Sequence, residues 1–385
     1  MQFPEDVPVL TDGVVRLRAH TAADVAADHD LGQDPEVQRW TGVPVPYHWS
    51  DAEKFVTERI PAGWRDGSAW CWAIDFDGRY AGSVELRDGV GGVGDIGFSL
   101  APWARGRGVM TRAVQLAVGY SFDQLGWDRV LWRGFVGNWG SRRVAWKCGF
   151  REFVTTRGTG RARGVRYDEW VASIDRYDER VPHSRWWDVP VIEGDGFRLR
   201  PLRPGDAARI VEASNDDRTR HWLSGLPTPY ELSHAESFIQ RWATSAADGD
   251  AVSWAIADRD SDDLLANLSI FRLGDRIDPT AGEIGYWTHP AARGRGLMTA
   301  AVRLAVRHAF TPITDGGLGR RRLVLIAAEG NTASDHIAAS NGFTHMGTAR
   351  AAEPRRDGTY SNLRHFDLLA TDHLDSVGPL GCRSL

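Results

Sequence analysis

The sequence predicts two tandem domains of the mixed α/β class. With 385 residues, the chain is long enough for two or three domains that each bury a core. One stretch occurs twice: residues 96–122 and 284–310 align without a gap and share an Ile-Gly pair, a proline, the run ARGRG, a Met-Thr pair and the pattern AVxLAV. In both copies a β-rich segment, a glycine-containing turn and a helical pattern follow one another. The chain therefore contains one structural unit twice.

The composition indicates a globular protein without a membrane or nucleic-acid partner. Hydrophobic residues make up 42% of the chain and charged residues 25%, as in soluble globular proteins. There is no apolar run of about 20 residues and no secretory signal, and the formal net charge of -5 gives no general attraction for nucleic acid. Cys71, Cys148 and Cys382 lack metal-site spacing and suit reduced thiols. We expect a cytoplasmic protein without a bound metal.

Each half begins with a strand, VVRLR or FRLR, followed by an acid- and alanine-rich helical segment. These segments end near Trp40 and Trp222. The proline-containing loops GVPVPYHWS and GLPTPYELS come next, contain Tyr47 and Tyr230, and precede a second amphipathic helix. The four aromatic residues can anchor these loops and helices hydrophobically or line a binding site.

Three strands follow in each half. The first two are WCWAID and YAGSVEL in one half, and VSWAIAD and LLANLSI in the other. The third strand enters the repeated stretch and carries a carboxylate directly before the Ile-Gly pair, Asp95 or Glu283. Each carboxylate is either a solvated strand residue or a functional one.

The repeated turn predicts an anion site. The apolar residues after it recur at helical spacing, so Gly106 and Gly108, like Gly294 and Gly296, lie where a helix begins. Glycines let the backbone approach a ligand, and the helix start adds about half a positive charge, which favours phosphate or pyrophosphate. The turn is not a Walker loop or a dinucleotide fingerprint, because GKS, GKT and GxGxxG are absent. Mobile counter-charge is expected from Arg105, Arg107, Arg293 and Arg295.

Beyond the motif helix, each half has a short apolar strand, VLWRGFV or LVLIAA, and then an Asn-x-x-Ser sequence. These are Asn138 with Ser141, and Asn331 with Ser334. Each half ends in a hairpin, with loops expected at 157–166 and 350–358. A segment at 175–189 is the expected interdomain linker.

The repeated turn resembles motif A of the GCN5-related N-acetyltransferases (GNAT). That pattern is Arg or Gln, two residues, Gly, one residue, then Gly or Ala; this chain departs from it by placing Met110 and Met298 at the last position. The resemblance covers most of the chain and implies that the turn holds the pyrophosphate of acetyl-CoA or another acyl-CoA. The implied cofactor-binding residues are Arg105, Gly106, Arg107, Gly108, Val109, Met110 and Thr111, and Arg293, Gly294, Arg295, Gly296, Leu297, Met298 and Thr299.

The Asn-x-x-Ser helices resemble those of the RimJ/RimL-like branch of the family. This resemblance implies that Asn138 and Asn331 contact the cofactor, and that Ser141 and Ser334 protonate the leaving thiolate. Asn and Ser are also ordinary helix caps, which is the alternative reading.

The resemblance also implies an acceptor side. The two helices before the sheet cover it, so Trp40, Tyr47, Trp222 and Tyr230 are candidate wall residues. Asp95 and Glu283 are candidate general bases, because an amine with a pKa near 10 must lose a proton before it attacks a thioester. Glu283 has the longer reach and favours the second half for catalysis. The hairpin loops border this side in the family, or are simply solvated.

The predicted architecture is two GNAT-fold domains, each with a mixed, largely antiparallel central sheet flanked by helices. We expect domains at 1–174 and 190–370, the linker at 175–189 and a tail at 371–385. We expect a monomer whose two domains form an intramolecular pseudo-dimer. A homodimer is the alternative.

The predicted function is direct transfer of an acetyl group from acetyl-CoA to a primary amine of a small molecule. A protein N-terminal or lysine acyltransferase is one alternative. A noncatalytic acyl-CoA-binding regulatory or scaffold protein is another, and the sequence does not distinguish acetyl from succinyl or longer acyl donors.

Overall fold

A computed structural model describes residues 7–372 of the chain. The chain divides into two compact units, 1–183 and 184–385. The domain and linker bounds inferred above stay predictions. The predicted tail, 371–385, lies almost entirely outside the described residues, as does Cys382.

The first unit is one sheet with two sets of helices, one set between the second and third strands and the other between later strands. Its strands are β1 (Leu10–Thr11), β2 (Val15–Arg18), β3 (Ala69–Phe76), β4 (Arg79–Arg87), β5 (Val93–Leu100), β6 (Arg129–Phe135), β7 (Arg151–Ala162) and β8 (Val165–Asp175). Its α-helices are α1 (Val25–Gly32), α2 (Pro35–Trp40), α3 (Trp49–Lys54), α4 (Ile60–Asp66), α5 (Val109–Asp123) and α6 (Trp139–Lys147), and a π-helical segment, Phe55–Arg59, joins α3 to α4.

The second unit repeats this order. Its strands are β9 (Ile192–Glu193), β10 (Phe197–Pro201), β11 (Val252–Asp258), β12 (Leu264–Phe271), β13 (Ala281–Thr288), β14 (Arg322–Ala328), β15 (Thr344–Pro354) and β16 (Tyr360–Leu369). Its α-helices are α7 (Ala207–Asn215), α8 (Asp217–Trp222), α9 (Leu232–Ala247), α10 (Leu297–Phe310) and α11 (Thr332–Ser340).

The two sheets have the same topology. The strand order is β1-β2-β3-β4-β5-β6-β8-β7 in the first and β9-β10-β11-β12-β13-β14-β16-β15 in the second. All neighbours pair antiparallel except β5 with β6 and β13 with β14, which are parallel. The predicted fold of two tandem domains with mixed, largely antiparallel sheets is confirmed.

Each motif helix packs its apolar face on the sheet. In α5 the side chains of Ala113, Val114 and Ala117 are fully buried in one cluster with Trp72 of β3. The helical spacing of these small residues brings the helix close to the strands. The second unit has the corresponding cluster around α10 and Trp254.

The parallel strands pair along only half of their length. β5 and β6 pair from Val93 with Arg129 to Ile96 with Trp132, and both strands continue beyond this point. β13 and β14 pair in the same way up to Ile284 with Leu325. The strands therefore separate, and each sheet opens into a wedge whose facing backbone groups are free to bind a ligand.

Candidate active site

The repeated glycine turns have the geometry of anion cradles. Gly106 and Gly108 have φ angles of 74° and 77°, and Gly294 and Gly296 have φ angles of 75° and 70°. This left-handed backbone favours glycine, and no atom lies within 4 Å of the position a Cβ would take at any of the four. Gly108 and Gly296 are the N-caps of α5 and α10, whose first N–H groups have no partner within the helix. Open space in front of these donors fits a pyrophosphate.

The motif arginines divide into two kinds. Arg105 forms an ion pair with Asp34, and Arg293 lies 2.5 Å from Asp216. Each is engaged with an N-cap aspartate of α2 or α8, so a role as mobile counter-charge, which stays a prediction, requires the arginine to leave that aspartate. Arg107 is more exposed: it stacks over the Phe76 ring at 4.4 Å and lies 3.1 Å from Asp77.

A cavity of about 710 Å³ opens on the acceptor side of the first domain. Its walls come from α1, α2, the π-helical segment, β4 and the separated ends of β5 and β6. Trp40 and Tyr47 line it, as do Asn138 and Ser141 at the start of α6. The basic hairpin borders it too, because Arg163 donates hydrogen bonds of 3.0 and 3.1 Å to the carbonyl oxygens of Thr41 and Val43.

The second domain has a cavity of about 770 Å³, and it lies along the motif turn. Glu283, Trp222, Asn331 and Ser334 line it, together with the turn residues 292–299. Tyr286 lines it as well; its hydroxyl lies beside Ser334, and burial raises the pKa of Tyr286 to about 12. The cavity of the first domain thus lies on the acceptor side of the fold, and the cavity of the second domain lies along the motif turn.

The Asn-x-x-Ser residues cap helices, as the alternative reading expected. The side chain of Asn138 accepts a 3.2 Å hydrogen bond from the Ser141 N–H, and Asn331 accepts one of 3.4 Å from Ser334. In the first domain the Trp132 indole N–H also donates to Ser141 Oγ at 3.1 Å. The Ser141 hydroxyl proton is therefore left to point at a ligand in the cavity.

The two predicted bases are both held by arginines. Asp95 lies 2.6 Å from Arg87 and 4.0 Å from Arg133, and it is not among the described residues that line the first cavity. Asp95 therefore lies beside this cavity's lining, one residue before Ile96, and its role as a base stays a prediction. Glu283 lines the second cavity and lies 3.4 Å from Arg272.

Two carboxylates that the sequence reasoning missed do line the first cavity. Glu85 on β4 faces Gly97, at the point where β5 leaves β6, and lies 3.1 Å from Arg87. Asp28 is buried on the inner face of α1. A signal for Asp28 was present, because it occupies an apolar-face position with Val25 and Leu31 at helical spacing.

Asp28 is the centre of a buried polar cluster. Its carboxylate accepts hydrogen bonds from the hydroxyls of Tyr47 at 2.9 Å and Tyr80 at 3.1 Å. Burial raises the pKa of Asp28 in spite of these donors. Burial also raises the pKa of both tyrosines, so they remain neutral donors.

The second domain is apolar at the same positions. Arg18 pairs with Asp24 as Arg200 does with Asp206, and the fourth residue after each aspartate is Asp28 in one domain and Ile210 in the other. On the neighbouring strand, Leu264 pairs with Ala257 where Tyr80 pairs with Asp75.

Tyr230 is therefore placed differently from Tyr47. It is 5% exposed and packs with Ile210 and Leu264, and it is not among the described residues that line the second cavity. The structure thus places Tyr230 in an apolar cluster, whereas Tyr47 lines a cavity, and an acceptor-wall role for Tyr230 stays a prediction.

Glu85 also lacks a charged counterpart. Ser269 faces Gly285 where Glu85 faces Gly97. Its hydroxyl lies 2.8 Å from that of Ser253, to which the Asn267 amide donates at 2.9 Å. These buried groups satisfy one another, whereas Glu85 borders open space.

A wedge between two parallel strands, with a glycine cradle at the helix start beside it, defines a transferase of acetyl groups. The chain belongs to the GNAT family: the acetyltransferase (GNAT) domain profile matches residues 15–151 and 197–344. It is a GNAT acetyltransferase with two tandem domains, and this family uses acetyl-CoA as donor.

Two curated relatives come from Bacillus subtilis (strain 168). "Putative ribosomal N-acetyltransferase YdaF" is 32% identical over 174 residues, which cover 44% of this chain and 87% of that protein. "Probable N-acetyltransferase YjcK" is 34% identical over 106 residues, which cover 27% of this chain and 59% of that protein. A solved structure of a "Probable acetyltransferase" is 26% identical, covers 48% of this chain and 99% of its own, and has a TM-score of 0.42.

Within residues 7–372, no group of three or more His, Cys, Asp or Glu side chains is arranged to hold a metal ion. No helix in that range is long and apolar enough to span a membrane. Cys71 and Cys148 are buried free thiols.

Proposed function

We propose that the first domain transfers an acetyl group from acetyl-CoA directly to a primary amine of a small molecule. The observation that carries this proposal is the acceptor-side cavity, whose volume of about 710 Å³ falls in the range of small-molecule sites. Carboxylates line this cavity, and the equivalent side of the second domain is filled by apolar residues.

The cofactor's pyrophosphate would bind at the glycine turn. Gly106 and Gly108 expose backbone N–H groups there, and Arg107 adds positive charge. The free backbone edge beyond Ile96 would hold the thioester arm in the wedge. These contacts would bring the thioester to the cavity proposed to receive the amine.

Glu85 is the base that we propose in place of Asp95. Its side chain is 15% exposed and borders the cavity, so it can take a proton from the ammonium group directly or through a water molecule. The freed nitrogen attacks the thioester carbon, the C–N bond forms and the C–S bond breaks. Ser141 then donates its hydroxyl proton to the departing sulfur and regains a proton from the nitrogen, which loses its second proton as the amide forms.

We propose a cofactor-binding role for the second domain. Its cavity contains the motif turn, Asn331 and Ser334. Glu283 is present as well, and the longer reach of this residue favoured the second half on sequence grounds. The apolar packing of Ile210 and Tyr230 on the acceptor side argues for the first domain instead.

Two matched variants test this assignment in the full chain. Glu85→Gln should lower kcat for acetyl transfer by about a hundredfold or more, because it removes the base. Glu283→Gln, the same change in the second domain, should leave kcat within about twofold. Turnover is measured as release of free CoA with a panel of small amines, and the opposite pattern would assign catalysis to the second domain.

A protein acceptor is the second candidate, because the relative YdaF is named as a ribosomal N-acetyltransferase. Peptides with free N-termini or lysines, run in the same assay, distinguish the two. A kcat/KM for peptides well above that for every small amine would replace the small-molecule proposal.

A further inference from the structure

Asp28 is a buried carboxylate without a cationic partner. It is 5% exposed and lines the first cavity. Within the described part of the chain, no Arg or Lys side chain forms an ion pair with it, and its hydrogen-bond donors are the neutral hydroxyls of Tyr47 and Tyr80. Burying a carboxylate is costly unless a positive group compensates it.

The fold does not require a carboxylate at this position. In the second domain the Arg-Asp pair that precedes it is retained, as Arg200 with Asp206, but Ile210 and Leu264 replace Asp28 and Tyr80. A domain of the same topology is thus built with an apolar cluster there. The polar cluster serves the cavity rather than the fold.

Asp28 and Glu85 belong to one wall of the cavity. Burial raises the pKa of the Cys71 thiol, and the charges of Glu85 and Asp28 both add to this effect. Cys71 faces Glu85 across the β3–β4 ladder and lines the cavity with both carboxylates. Glu85 already has Arg87 as a partner. Lys54 and Arg59 also line the cavity, but within residues 7–372 neither forms an ion pair with Asp28.

From this arrangement we infer that the acceptor is a dibasic amine and that Asp28 binds its second ammonium group. The inference rests on the proposed function, in which Glu85 receives the amine that is acetylated. Tyr47 and Tyr80 hold the carboxylate in place, and the ammonium group supplies the ion pair that no described Arg or Lys side chain forms with Asp28. Asp28 is then a specificity-determining residue, and the acetylated amine lies at the other end of the molecule.

The test compares linear diamines of three to six carbons with monoamines of equal length. With the full chain and acetyl-CoA, KM for the best diamine should be roughly 10- to 100-fold below that of its monoamine. Asp28→Asn should abolish this preference by raising KM for the diamine roughly 10-fold or more relative to KM for the monoamine. Asp30→Asn is the matched control, because it removes the same charge from an exposed position of α1.

A second measurement separates this inference from the proposed function. Calorimetric titration of the diamine into the protein without acetyl-CoA should show binding that Asp28→Asn loses and the control Asp30→Asn retains. Diamine binding of this kind without any acetyl transfer would support the Asp28 site and overturn the proposed function. The inference itself fails if the parent protein does not prefer diamines, or if Asp28→Asn impairs both amine classes equally.

Discussion

At the scale of single residues, the two domains differ most where their acceptor sides lie. Asp28 and Glu85 in the first domain correspond to Ile210 and Ser269 in the second. The surrounding strands keep the same order and register. A few side chains on the same order of strands therefore decide which domain has carboxylates on the acceptor side.

His20 gives the first domain a predicted pH dependence. It is 2% exposed, and burial lowers its pKa to about 4, whereas the second domain has Leu202 at the equivalent position. The unfolded chain binds a proton near pH 6.5 that the folded domain rejects. The free energy of unfolding is therefore highest above about pH 6.5 and falls by roughly 3 kcal/mol as the pH decreases to about 4.

His20→Leu should remove most of that acid destabilisation. Urea unfolding between about pH 4 and pH 7 measures the slope, with His183→Gln as an exposed control in the same unit. An unchanged slope in His20→Leu would show that another group titrates.

At the scale of elements, each motif turn is fastened to a short helix beside the acceptor side. Arg105 reaches Asp34, which also accepts a hydrogen bond from the Val37 N–H as the N-cap of α2. Arg293 and Asp216 repeat this link at α8. The cofactor turn and the acceptor-side helix are therefore held together within each domain.

Asp34 is predicted to stabilise the first domain through both interactions. Asp34→Ala should lower the free energy of unfolding by roughly 1–2 kcal/mol, because it removes the cap and the ion pair. Asp34→Asn keeps a capping oxygen and should cost less. Urea unfolding of the two variants and of Arg105→Ala separates the contribution of the helix cap from that of the ion pair. An Asp34→Ala protein as stable as its parent would contradict the prediction.

The helix after the acceptor loop is another element that differs. In the second domain α9 is one continuous helix, whereas α3 and α4 are joined by the π-helical segment Phe55–Arg59. Phe55 and Arg59 line the first cavity. Because π-helical turns re-aim side chains, this segment contributes to the shape of the acceptor site.

At the scale of the whole molecule, the described residues contain a glycine turn in each domain and a polar acceptor-side cavity in the first domain. Gly108 and Gly296 have matching φ angles and matching open space. We therefore expect two acetyl-CoA sites and one catalytic centre.

Calorimetric titration of acetyl-CoA should find two sites in the parent and one in each of Gly108→Trp and Gly296→Trp, because the indole fills the turn. Only Gly108→Trp should abolish turnover. Since a non-glycine residue in this backbone region costs about 1–2 kcal/mol, circular dichroism must first show that both variants fold; Gly205→Trp, at an open glycine outside the left-handed region, is the control. No binding by the parent would overturn the cofactor assignment.

The sequence by itself determined the repeat, the fold class and the family. These follow from local information: strand and helix periodicity, the glycines at 108 and 296 before a helical pattern, and the motif around them. Such features depend on residues near one another in the chain, so they can be recognised without a structure.

Only the tertiary structure decided which carboxylates line a cavity. Asp95 and Glu283 occupy equivalent positions in the two repeats, yet Asp95 turns to Arg87 and only Glu283 borders a cavity. Asp28 and Glu85 come from a helix and a strand far apart in the chain, and they reach one wall only when α1 packs against β4. Burial and missing charge partners are properties of that packing, and no local pattern contains them.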